Sequence, residues 1–101
     1  MEGTTPRALL AEVTALPGKA ELIRDLLRDY GRKVRAEPGN RVFACHQVEA
    51  KPNHFVVYEV YESETAFEAH LAAPYGAELN QRLKALIEEP ESALTFLTPP
   101  Y

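Results

Sequence analysis

Three features of this 101-residue chain predict an α+β fold with the element order β-α-β-β-α-β. The first half carries one strongly amphipathic segment, Lys19 to Ala36, whose apolar residues recur at spacings of three and four. Two runs rich in β-branched and aromatic residues, Arg41–Glu49 and Phe55–Tyr61, follow each other as a hairpin would. A second helical region, interrupted at Pro74-Tyr75-Gly76, leads to a short final apolar run, Ser92–Thr98. That order is the ferredoxin-like pattern, a four-stranded antiparallel sheet with helices on one face.

Each element has a local reason. Strand one, Arg7 to Leu16, splits by parity into Leu10, Glu12, Thr14 and Leu16 against Leu9, Ala11, Val13 and Ala15, and Pro17-Gly18 ends it. In the helix, Leu22, Ile23, Leu26, Leu27, Tyr30 and Val34 form the apolar stripe. Arg24, Asp25, Arg28, Asp29, Arg32 and Arg35 cover the other side, where modest surface ion pairs are expected. Gly31 inside that helix costs about 1 kcal/mol relative to alanine and permits close packing onto a sheet. Glu37-Pro38-Gly39-Asn40 stops the helix.

Strand two carries Val42, Ala44, His46 and Val48 on one face and Phe43, Cys45 and Gln47 on the other. A Lys51-Pro52-Asn53 turn is expected before strand three, where Phe55, Val57, Glu59 and Tyr61 share one face and Val56, Tyr58 and Val60 the other. Ser63 caps a short helix holding Phe67, His70 and Leu71, although Ala66 leaves the capping box incomplete. A further helix is predicted over Ala77–Glu88, closed by Pro90. One domain is expected to span residues 1–101, with a loose N-terminus and a short tail at 99–101.

Helices cover only one face of such a sheet, yet the strands are apolar on both parities. The uncovered face needs a partner, and a second copy packed sheet against sheet is the economical one. A homodimer is therefore expected.

Composition narrows the function classes. Apolar residues make up 46% of the chain and charged residues 26%, the balance of a soluble globular protein. A net charge of −4, with basic residues scattered among acidic ones, argues against a nucleic-acid partner. No apolar run reaches the ~20 residues of a membrane span, and no signal-peptide core is evident. The single cysteine, Cys45, excludes an internal disulfide and suits a cytoplasmic location. It reads as a small core residue rather than a nucleophile. The three histidines and the carboxylates lack metal-ligand spacing, so no metal is expected. Glycine-rich phosphate loops and nucleophile elbows are absent.

Two residues stand out as chemistry. Glu59 sits in an apolar strand with no polar neighbour of its parity, so it needs a partner or a proton. His70 ends a short helical segment on the side of Phe67, facing the sheet, and histidine is the usual acid–base group near neutral pH. Each also has a structural reading, as a hydrogen-bonded core group. Tyr58, Tyr61, Phe67 and Tyr75 are candidates to line an apolar pocket between the sheet and the broken helix. His46, which reads first as structural, is added to that set. His54, at a strand start, is expected to be exposed.

The Pro17-Gly18 turn, Glu37-Pro38-Gly39, the Tyr58-Glu59-Val60-Tyr61 strand end and Ser63-Glu64-Thr65-Ala66-Phe67-Glu68-Ala69-His70 together resemble the antibiotic biosynthesis monooxygenase family, over about Leu9 to Thr98. The resemblance implies a dimeric α+β barrel and a cofactor-independent monooxygenase acting on a small aromatic quinol or phenol. In that chemistry a base makes the substrate electron-rich and the substrate itself reduces oxygen. It points to Glu59 and His70 as catalytic. Tyr61 stands where relatives often carry tryptophan, and the chain has none, which sets it apart from the haem-degrading branch. The family also implies two alternatives: a non-oxidative isomerase acting on a phosphorylated substrate, with Arg41, Arg82 or Lys84 at the pocket mouth, or a dimeric binding or stress protein without chemistry.

Overall fold

The computed structural model describes residues 5–101; of the loose N-terminus expected over residues 1–6, Thr5 and Pro6 are described, both exposed and outside any strand, and residues 1–4 lie outside the described residues. Four strands and three helices follow in the order β1 (Arg7–Thr14), α1 (Ala20–Arg35), β2 (Asn40–Val48), β3 (Lys51–Tyr61), α2 (Glu64–Ala72), α3 (Pro74–Leu83) and β4 (Ala93–Leu97). The strands form one antiparallel sheet in the order β2-β3-β1-β4. The fold is the α+β, ferredoxin-like arrangement, with the helical region between β3 and β4 divided in two.

Local chemistry explains the joints. Pro17 and Gly18 make the turn into α1: Gly18 takes φ 79°, and the Lys19 amide donates to the Leu16 carbonyl at 3.0 Å. Within α1, Gly31 is buried, and a Cβ there would meet the Phe43 ring at 3.0 Å. The glycine lets the helix lie directly on β2. Ion pairs Arg28–Asp25 and Arg32–Asp29, both at 3.4 Å, decorate its exposed side, where each contributes at most about 1 kcal/mol.

Several boundaries differ from the sequence expectation. Val48 pairs with Lys51, so the hairpin turns at Glu49-Ala50, and Lys51-Pro52-Asn53 already belongs to β3. Pro52 is tolerated there because it falls near the strand start, where the β2–β3 register shifts between Gln47 and Val48. Pro74 starts α3 rather than breaking it, because proline suits a first helical turn, while Ala73 before it is extended. That helix ends at Leu83, short of Glu88. Ile87 instead bridges to Ala15, and the Glu88 amide donates to the Thr14 carbonyl at 2.9 Å. No helix among the described residues is long and apolar enough to cross a membrane.

Packing separates into two apolar clusters on the helix-covered face. One gathers Val13, Ile23, Leu27, Phe55, Leu83 and Ile87. The other gathers Leu9, Val34, Phe43, Val57, Tyr61 and Phe67. Thus Leu9, Val13, Phe43 and, in β3, Phe55, Val57, Glu59 and Tyr61 face the helices. Leu10, Val42, Ala44, Val56, Tyr58 and Val60 face away, half-buried or exposed in this chain.

Two residues are placed differently from expectation. Cys45 is exposed, not core, because β2 is an edge strand and α1 covers it only as far as Phe43. Desolvation holds its thiol above the usual range. His54 is half-buried and tied at both ring nitrogens, to Thr14 Oγ1 at 2.9 Å and to Glu12 Oε1 at 2.7 Å.

Candidate functional site

A cavity of about 150 Å³ lies at the seam between the two clusters, with Leu9, Val13, Leu27, Phe43, Val57, Phe67 and Leu83 in its walls. Its polar lining includes Glu59 from the sheet and His70 from the helix layer, with Tyr30, Asn80, Glu91 and Ser92. Glu59 comes from β3, flanked in register by Leu9 of β1 and Phe43 of β2, so its carboxyl is only 6% exposed. His70 comes from the last turn of α2 and is 7% exposed. Ser63 begins that helix by accepting from the Ala66 amide at 3.1 Å, and Phe67 is a turn before His70 on the same side.

The two groups are close but separate. His70 Nε2 lies 4.0 Å from Glu59 Oε1. Tyr61, two residues along the same face of β3, donates its hydroxyl to Glu59 Oε1 at 2.7 Å. Its ring centroid lies 4.8 Å from that of His70. Burial raises the Glu59 carboxyl above the usual carboxylate range, opposed by the Tyr61 hydrogen bond and by His70. The Tyr61 hydroxyl is itself held well above the usual range, by desolvation first and then by Glu59.

Two further residues complete the site and were not singled out from the sequence. Glu37, in the α1–β2 turn, has both carboxylate oxygens within 3.0 and 3.1 Å of His70 Nδ1. Tyr75 of α3 donates its hydroxyl to the same carboxylate. Tyr30 of α1 lies in the cavity wall with its hydroxyl 3.3 Å from His70 Nε2. Burial, then Glu59, Glu37 and Tyr75, hold the Tyr30 hydroxyl well above its usual range. The Tyr75 hydroxyl is pushed up to about 12, by desolvation and then by Glu37. Both phenols therefore remain protonated near neutral pH. Tyr30 reads from sequence as one more member of an apolar stripe, and Glu37 as a helix-stop residue. The available signal for Glu37 was a carboxylate placed inside the Glu-Pro-Gly motif.

The sequence candidates divide accordingly. Glu59, His70 and Phe67 line the cavity. Tyr61 lies behind Glu59, and Tyr75 reaches Glu37 from α3 without lining the cavity. Tyr58 and His46 do not belong to this site: strand alternation puts both on the opposite face of the sheet, where Tyr58 is 41% exposed. The lining residues include Glu59 and Glu91 but no lysine or arginine. Chemically, the arrangement offers an imidazole nitrogen, Nε2, with a buried carboxyl beside it in a largely apolar chamber.

Comparison with known proteins agrees with the fold. A Pseudomonas aeruginosa protein of known structure is 26% identical, with 100% of each chain covered and a TM-score of 0.89. A Mycobacterium tuberculosis protein is also 26% identical, covering 94% of this chain and 95% of its own, with a TM-score of 0.86. A Nitrosomonas europaea protein, provisionally named an antibiotic biosynthesis monooxygenase, shares the fold at 21% identity, covering 100% of this chain and 95% of its own, with a TM-score of 0.87. Among proteins with curated functions, none matches this chain. The sequence model described as antibiotic biosynthesis monooxygenase matches residues 6–89. With most of its length inside that match, the chain belongs to the antibiotic biosynthesis monooxygenase family.

Proposed function

We propose that this protein is an oxidoreductase that inserts one oxygen atom from O2 into a small, uncharged phenol or quinol without a resident cofactor. The observation that carries the reading is His70 Nε2 and the buried Glu59 carboxyl meeting, 4.0 Å apart, at the wall of one largely apolar cavity. A chamber of about 150 Å³ suits a single aromatic ring. Its acidic and apolar lining disfavours a phosphorylated substrate. Arg41 pairs instead with Glu62 at 3.8 Å, and neither Arg82 nor Lys84 lines the cavity.

The chemistry balances within the substrate and oxygen. His70 Nε2 takes the proton of a substrate hydroxyl, leaving an electron-rich phenolate. One electron passes to O2, and the resulting superoxide and phenoxyl radicals combine to form a C–O bond. Protonation gives a ring hydroperoxide. Loss of the C–H proton from the same carbon then expels the outer oxygen, breaking the O–O bond. A quinol thus becomes a hydroxyquinone, and two hydrogens leave with the second oxygen as water. Four electrons leave the ring and four enter O2. Glu59, whose carboxyl burial pushes above the usual carboxylate range, is placed to supply a proton to the peroxide.

The proposal includes a homodimer, packed through the sheet face that carries Leu10, Val42, Val56, Tyr58 and Val60, and a cytoplasmic setting that an unpaired cysteine suits. Oxygen uptake with single-ring quinols and with menadiol tests the reaction. The expected result is turnover above autoxidation, lowered by about 10²-fold in His70→Ala. Uptake no faster than autoxidation, or indifferent to His70→Ala, refutes it and leaves a binding protein.

A further inference from the structure

The His70 ring presents one nitrogen to each of two surroundings. Nδ1 faces the Glu37 carboxylate at 3.0 and 3.1 Å. Nε2 faces the cavity, with the Tyr30 hydroxyl at 3.3 Å and Glu59 at 4.0 Å. An ionised carboxylate accepts hydrogen bonds and donates none, and here it already accepts from Tyr75. The Glu37 contact therefore requires a proton on Nδ1. The opposite tautomer would set a ring lone pair against carboxylate oxygens inside the protein, which is costly. In the neutral ring the lone pair then sits on Nε2, toward the cavity, where Tyr30 is the donor in the free protein.

We propose that Glu37 is the positioning residue of this site: it fixes His70 in the Nδ1–H tautomer, so that Nε2 receives the substrate proton. This rests on the phenol-oxidising reading above and deepens it. A substrate hydroxyl replaces Tyr30 as the donor to Nε2, and Glu37 stabilises the imidazolium formed once the proton has moved.

The fold holds Glu37 for this task from three sides. Its own turn is closed by the Glu37 amide donating to Val34 and the Asn40 amide donating to Glu37, at 2.9 and 3.1 Å. The next residues anchor the turn to the rest of the site. The Glu62 amide at the end of β3 donates to the Gly39 carbonyl at 2.8 Å, and Gly39 packs against Ala66, one turn before His70. Tyr75 then ties the carboxylate to α3. Glu37 itself touches neither the cavity nor any reacting atom, so its effect passes through His70.

Ring-nitrogen NMR tests this directly, because the chain has only 3 histidines and His70→Ala assigns the signal. In the neutral wild-type ring the proton is expected on Nδ1. In Glu37→Gln the amide can turn its NH2 toward Nδ1, so the Nε2–H form should gain. Turnover should fall by about 10²-fold with KM little changed. A wild-type ring protonated on Nε2 overturns the proposal, and this result needs no variant to fold. A Glu37→Gln ring that keeps the wild-type tautomer also overturns it, even if turnover falls. An Nδ1–H ring that shifts in Glu37→Gln, in a protein that oxidises no quinol, upholds the positioning role and defeats only the oxidation reading.

Discussion

At the residue scale, the informative group is a carboxyl held where carboxylates are disfavoured. Glu59 has one strong hydrogen-bond donor, Tyr61, and a raised affinity for its proton caused by burial. The folded chain therefore binds that proton more tightly than the unfolded chain does. The sign follows from linkage: stability contributed at this position falls as pH rises above the unfolded carboxyl value of about 4.3 and through the raised folded one. Glu59→Gln removes the titration while keeping an acceptor for Tyr61. Thermal unfolding across pH should show the variant's advantage over wild type smallest in acid and growing toward neutrality. A wild type that instead gains on the variant as pH rises would mean that Glu59 is stabilised as a carboxylate.

At the element scale, the site depends on how closely the α1–β2 turn approaches α2. A Cβ added at Gly39 would lie 2.4 Å from Ala66 Cβ, nearer than two non-bonded carbons can sit. The turn must then move away from α2 and carry Glu37 off His70. Gly39→Ala should cost about 1–3 kcal/mol in denaturant unfolding, and the His70 tautomer should shift with it. A double-mutant cycle with Ala66→Gly isolates the contact. Favourable coupling between the two substitutions is expected, and strict additivity would show that the clash is relieved elsewhere. The same scale explains why a proline-containing junction serves between α2 and α3. Pro74 starts a new helix after the extended Ala73, and Tyr75 immediately after it reaches Glu37.

At the scale of the whole molecule, the sheet is two-faced and only one face is covered. Leu10, Val42, Val56 and Val60 are half-buried and Tyr58 is exposed on the uncovered side, beside a polar end formed by Glu12 and His54. An apolar face of this extent favours association with a second copy. Light scattering coupled to size exclusion should give a dimer for wild type and a monomer for Tyr58→Asp. Wild-type protein that stays monomeric at micromolar concentration would remove the dimer from the proposal. Because Tyr58 points away from the cavity, the monomeric variant also reports whether the chemistry needs the partner.

By itself the sequence determined the element order, the face of each strand and the identity of the buried carboxylate and histidine. Each of those is written in short-range periodicity: alternation along β3 sets Glu59 among apolar residues, and three-residue spacing on α2 aligns His70 with Phe67. Tyr58, a sequence candidate for the pocket, is turned away from it by the same alternation, since it stands one residue from Glu59 on the strand. Only the tertiary structure decided the company these residues keep. Glu37 meets His70 across 33 positions of sequence because Gly39 lets a turn press against another helix. Tyr30 reaches Nε2 because Gly31 lets α1 lie on the sheet. Such contacts arise from close approach between elements, and no local period in the chain encodes which long-range pair will touch.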